Sequence, residues 1–138
     1  MTSAGTNRGF TLIEVVLTIV VISIGLVAMM LLFDNVTHNA MQSDMNMTAT
    51  YLARERLEII AFDKVYSGYD SIKNARYGTS ENVNVGGKNY IRELNIYEVN
   101  KFDLITAEQG SNFKRVDVTV KWGNEGSQKI TETTLFTR

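Results

Sequence analysis

The chain has 138 residues, 14 of them basic and 15 acidic, for a net charge of −1, with no cysteine, no proline and a single histidine. Near-neutral charge without a cluster of Lys and Arg interleaved with aromatics gives electrostatic nucleic-acid binding no support, so no nucleic-acid partner is expected. The missing cysteines exclude a disulfide framework, a thiol nucleophile and a Cys/His zinc site.

Met1 to Gly9 is polar or small, and an apolar stretch follows at once from Phe10 to Phe33, with Glu14 as its only charge. A spanning helix needs about 20 residues at a rise of 1.5 Å, so this segment can cross a bilayer with some tilt. Its density of Ile and Val suits hydrocarbon. A secretory signal peptide is the competing assignment, but the apolar core is too long and Thr37 to Ala40 offers no clean small-residue cleavage site. Arg8 precedes the span and no Lys or Arg follows until Arg54, which predicts a cytoplasmic amino end. A carboxylate near the centre of a membrane helix costs about 2.5 to 3.5 kcal/mol, so Glu14 calls for a compensating partner.

Helical signals continue beyond the span. Ala49, Leu52, Ala53, Leu57, Ile60 and Ala61 recur at three- and four-residue spacing, with Arg54, Glu55 and Glu58 directed elsewhere and Arg54 with Glu58 spaced as an i, i+4 pair. Asp34 to Thr48 is more polar but holds no Gly or Pro, which predicts one helix from about Phe10 to about Phe62, on the order of 80 Å long. The alternative is two helices broken near Asp34 and Asn35.

Ser67 to Lys88, punctuated by Gly68, Gly78, Gly86 and Gly87, reads as the loop leaving the helix, with Tyr66, Tyr69 and Tyr77 packing on the folded part. Asn89 to Val99 reads as the first strand. Arg115 to Trp122 alternates strictly, placing Val116, Val118, Val120 and Trp122 on one face. Gly123 to Ser127 supplies turn chemistry, and Thr-rich Lys129 to Thr137 returns as its partner. The fold class is therefore α+β, a long helix followed by an antiparallel sheet of three or four strands.

The leader ending in Gly9, then Phe10-Thr11-Leu12-Ile13-Glu14 and a long apolar helix, resembles the class III signal of type IV pilins and type II secretion pseudopilins. The Val116 to Trp122 strand, the Gly-containing turn, the Thr-rich last strand and the segment Ala49 to Glu58 look like V-type minor pilins and pseudopilin I. The resemblance implies residues 1–9 as a cytoplasmic leader, 10–33 as the transmembrane and assembly helix, and 34–138 as an extracytoplasmic domain that includes the carboxyl half of the helix. It implies that prepilin peptidase cuts between Gly9 and Phe10 and methylates the new amine of Phe10. It further implies that Glu14 is an assembly residue, meeting the Phe10 amine of a neighbouring subunit. The partners implied are other pilin or pseudopilin subunits, the peptidase, an inner-membrane assembly platform and membrane lipid. The place implied is the bacterial inner membrane and then a filament outside it.

Charge arithmetic agrees with this. Cleavage turns the amide of Phe10 into an amine that is largely cationic at neutral pH. Opposite unit charges about 4 Å apart attract by roughly 4 kcal/mol at an effective dielectric of 20, enough to offset one buried acid. The bland alternative is that Glu14 merely favours the positive end of its own helix.

Two departures from the family pattern stand out. The disulfide that closes the C-terminal loop of many major pilins is missing, and the twenty-second mature position, commonly Pro in major pilins, is Leu31. The second puts a major-pilin role in doubt and is compatible with a minor or tip subunit. Catalysis finds no equipment, so no enzyme, catalytic residue or cofactor is expected: His38 stands alone, and Gly86-Gly87-Lys88 lacks the phosphate-loop pattern. Asp63, Asp70, Glu81, Asp103 and Glu108 flank loops without EF-hand spacing, so no metal site is assigned. A filament subunit is the first reading. The alternatives are a filament-carried binding module for secreted cargo, DNA or a surface, and an unprocessed single-span anchor.

Overall fold

The structure, a computed structural model, describes residues 9–138; the expected leader, apart from Gly9, lies outside the described residues. The chain divides into two compact units, Met1–Gln42 and Ser43–Arg138. One helix, α1, runs over Leu12–Ser67, 56 residues. It passes Asp34 and Asn35 without interruption, as expected of a stretch with neither Gly nor Pro. The predicted end at Phe62 is five residues early. Nothing in Asp63 to Ser67 breaks a helix, and the stop comes at Gly68, whose φ of +79° is open to glycine at no steric cost.

In the second unit, a short 3-10 turn (Tyr69–Ser71) and a one-turn helix α2 (Asn74–Tyr77) lead into four strands. These are β1 (Ser80–Val85), β2 (Lys88–Glu98), β3 (Phe113–Trp122) and β4 (Gln128–Thr137), all antiparallel in the order β1-β2-β3-β4. The sequence expectation needs two corrections here. Ser67 to Lys88 is not one loop, and the segment at Asn89 is the second strand. Asn82, Asn84 and Glu81 make β1 read as polar, yet it pairs along its whole length with β2 through a two-residue turn. Gly86 and Gly87 both take positive φ, +58° and +76°, the requirement of a tight hairpin whose twist matches its strands.

The core forms where one face of α1 meets one face of the sheet. Ala49, Leu52, Ala53 and Ile60 pack with Tyr90, Leu94, Ile96, Val116, Val118, Val120, Trp122 and Phe136. Each fully buried aliphatic side chain of this kind contributes about 1.5 to 3 kcal/mol. The alternation predicted for β3 is realised, with Val116, Val118 and Val120 wholly buried. Leu57 and Ala61, from the same predicted helix face, pack on the margin of this core.

Two buried cations escaped the sequence reading. Arg92, on the inner face of β2, donates to the Leu52 carbonyl and the Glu55 carboxylate, each at 2.8 Å, and to Glu81 at 2.7 Å. Arg56 also pairs with Glu81. The i, i+4 partners Arg54 and Glu58 both lie exposed instead. Lys114 continues the buried face of β3 and donates Nζ to the Tyr69 carbonyl at 3.1 Å, over the Tyr69 ring. Tyr69 is buried and Tyr77 half-buried, donating to Asp63 at 2.8 Å. Tyr66, predicted to pack on the folded part, is instead 73 % exposed and rests on Phe62, because it projects from the outer face of α1.

Candidate processing and assembly segment

In the first unit, Gly9 and Phe10 lie outside the helix and are exposed, Phe10 by 81 %. A side chain added at Gly9 would meet no atom within 4 Å. The helix opens through Thr11, whose Oγ1 accepts the Glu14 N–H at 3.3 Å. Thr-x-x-Glu at a helix start is the spacing of a capping box, a role for Thr11 that the Thr11 to Glu14 spacing could have revealed. Glu14 therefore stands in the first turn, where its charge favours the positive end of the helix.

Along the span, the other hydroxyls turn back onto the helix. Thr18 donates to the Glu14 carbonyl at 2.6 Å and Ser23 to the Ile19 carbonyl at 2.7 Å. Such bonds satisfy hydroxyls without help from water, as a hydrocarbon environment requires. Among the described residues, no group bonds the Glu14 carboxylate. The large apolar side chains from Phe10 to Phe33 are exposed around the whole circumference of the helix. Such a surface needs lipid or other helices, and this helix is long and apolar enough to cross a membrane.

The other predicted candidates do not converge on any chemistry. His38 is exposed on α1. Four of the five acids considered for calcium are otherwise engaged: Asp63 with Arg76 and Tyr77, Asp70 with Arg138, Glu81 with Arg56 and Arg92, and Asp103 with the N–H groups of Ile105 and Thr106; the fifth, Glu108, is exposed. Among the described residues, no three His, Cys, Asp or Glu side chains gather to hold a metal ion.

Comparison with protein families matches residues 5–30 to the prokaryotic N-terminal methylation motif. No curated protein and no solved structure matches the chain. The chain thus carries a class III signal of the kind typical of type IV pilins and pseudopilins, on an α+β, pilin-like layout. The motif supports a pilin-like or pseudopilin precursor and, with the apolar helix, points to a membrane-anchored one.

Proposed function

We propose that this protein is a minor pilin or pseudopilin subunit, cut between Gly9 and Phe10 by a prepilin peptidase, methylated on Phe10 and drawn from the inner membrane into a type IV pilus or type II secretion pseudopilus. The observation that carries the reading is the methylation motif at residues 5–30 running directly into a helix whose apolar side chains are exposed all round.

The cut creates a cation four residues before Glu14, the only charge in the apolar stretch. An incoming subunit can then neutralise its Glu14 on the Phe10 amine of the subunit already in place, and the uncut precursor cannot serve as that neighbour. Leu31, where major pilins commonly carry Pro, supports a minor subunit. In this reading the chain is a structural subunit and not an enzyme, and its partners are other subunits, the peptidase, the assembly platform and lipid.

Glu14→Ala tests the pairing. The variant should be cut normally, read as the mass of the mature amino terminus, and should be depleted from sheared filaments. Normal incorporation would sink the pairing, and an uncut wild-type chain would sink the whole reading.

A further inference from the structure

Both edges of the sheet are free of further strands, but they differ. β1 spans 6 residues and β4 spans 10. From Gln128 to Thr137, β4 pairs with β3 without a break, and it holds no proline, glycine or bulge.

The register fixes which backbone groups lie open. The Arg138 amide donates to the Asn112 carbonyl at 2.9 Å, and in an antiparallel ladder hydrogen-bonded pairs recur at every second residue. The backbone of Ile130, Glu132, Thr134 and Phe136 therefore faces β3. The N–H and C=O groups of Lys129, Thr131, Thr133, Leu135 and Thr137 point the other way, and among the described residues nothing bonds them. An edge of this kind is a template for another strand unless a proline, a bulge or a charge blunts it. β4 uses charge alone: Lys129 is exposed at its start, and Glu132 is half-buried on the inner face beside half-buried Ile130. Among the described residues, Glu132 enters no ion pair and no side-chain hydrogen bond.

Donors and acceptors alternating at repeats of about 7 Å match the backbone of an extended peptide, which narrows the ligand to one class. Side chains on the inner face narrow it further. An added strand needs an apolar residue beside Ile130 and, two positions along, a Lys or Arg beside Glu132. In an antiparallel addition Glu132 falls in the closer, non-hydrogen-bonded kind of pair, where a charge match has most effect. A second copy of this chain does not supply it. The two-fold pairings with the longest overlap, centred on Thr133 or on Glu132, bring both Glu132 carboxylates onto one face, diagonal or directly opposite, and like charges so placed repel.

We propose that the open edge of β4 is extended by a strand from a different subunit of the same filament, with a basic residue of that strand on Glu132. Strand addition along one short edge is weak by itself. A neighbour already held through its own helix meets the edge at an effective concentration on the order of mM, which freely diffusing cargo does not reach. The contact rests on the filament reading and states how a neighbouring subunit is gripped.

The test places a photo-crosslinking phenylalanine at Lys129 of the full chain and, as a control, at Asn82 on the open edge of β1. Sheared filaments are irradiated and the crosslinked peptides sequenced. Lys129 should capture a segment of a different subunit in which apolar residues alternate with others and a Lys or Arg stands two positions from an apolar one; Asn82 should not. Leu135→Pro deletes an outward N–H that the free sheet leaves unused, a change that edge strands accept. It should cut the capture about tenfold, the scale of one buried carbonyl left without its donor, with the thermal transition in detergent unmoved. Glu132→Lys leaves every backbone bond in place and should lower capture about fivefold, so it reads the contact even if the proline shifts the transition. Capture of a second copy, of lipid or of a segment without that alternation would overturn the proposal. So would equal capture at Asn82, or a yield that neither Leu135→Pro nor Glu132→Lys reduces. The mass of the amino terminus is read on the same samples: a cut, incorporated chain without the capture rejects the strand contact alone, and an uncut chain rejects the filament reading.

Discussion

Arg92 of β2 reaches across the core to the helix and holds the Leu52 carbonyl with Nη1 at 2.8 Å. The same guanidinium gathers Glu55 and Glu81, so helix, first strand and second strand meet at one buried cation. Arg92→Met should destabilise the second unit by about 2 kcal/mol, the scale of hydrogen bonds to charged groups. The larger penalty of a wholly buried pair does not apply, because Glu55 and Glu81 keep partial access to water. Thermal unfolding of the full chain in detergent measures it, and an unchanged transition would refute the clamp.

Acid should loosen the same junction. Burial pushes Glu81 up, but the hydrogen bond from Arg92 and the charges of Arg92 and Arg56 outweigh it and hold the carboxyl below its ordinary value of 4.5. Burial likewise acts on Asp117, and bonds from Thr133, Arg115 and Tyr97 bring it below 3.8. The folded chain then binds fewer protons than the unfolded one, so the stability these groups contribute is complete above those ordinary values and declines as pH falls through the lower folded ones. Unfolding midpoints should stay level from neutral pH to about 5 and fall below it. Glu81→Gln should flatten part of that fall.

Gly87→Ala should cost about 1 kcal/mol. No atom lies within 4 Å of the added methyl, so the loss comes from backbone strain at φ +76° alone. Gly25→Ala, in open space on α1, should cost nothing comparable. Equal effects at the two sites would remove the hairpin argument.

Gly9→Leu should leave the precursor folded and uncut. The site has room for the side chain, so the block would arise in recognition by the peptidase and not in folding. Mass spectrometry of membranes should find the full-length chain; a mature amino terminus at Phe10 in this variant would refute the cleavage site.

The parts of the structure that were legible in the sequence share one property, a period kept over many residues. Phe10 to Phe33 is apolar without interruption, Ala49 to Ile60 keeps the helical spacing, and Val116 to Trp122 alternates strictly. β1 was missed because only Val83 and Val85 mark it against four polar neighbours. Its strand character comes from β2, and the clue lay in Gly86-Gly87, which read as part of the loop leaving the helix and not as the turn of a hairpin. Arg92 and Lys114 sit at inward positions of their strands, where a charge ordinarily argues for the outer face. Their acceptors, the Leu52 and Tyr69 carbonyls, are 40 and 45 residues away in sequence, so no local pattern announces them. In the amino-terminal segment, the spacing of Gly9, Phe10 and Glu14 was visible at once, whereas the cap provided by Thr11 needed the helix start to be located.

The meander order of the sheet has a kinetic consequence. Every strand pairs with the strand next to it in sequence, so each hairpin can close as soon as its second strand is available, and none must wait for a distant segment. Such local pairing favours fast folding. With no cysteine to oxidise and no proline to isomerise, two common slow steps of folding are also absent. The second unit of this chain should therefore reach its folded state soon after its last strand is available for pairing.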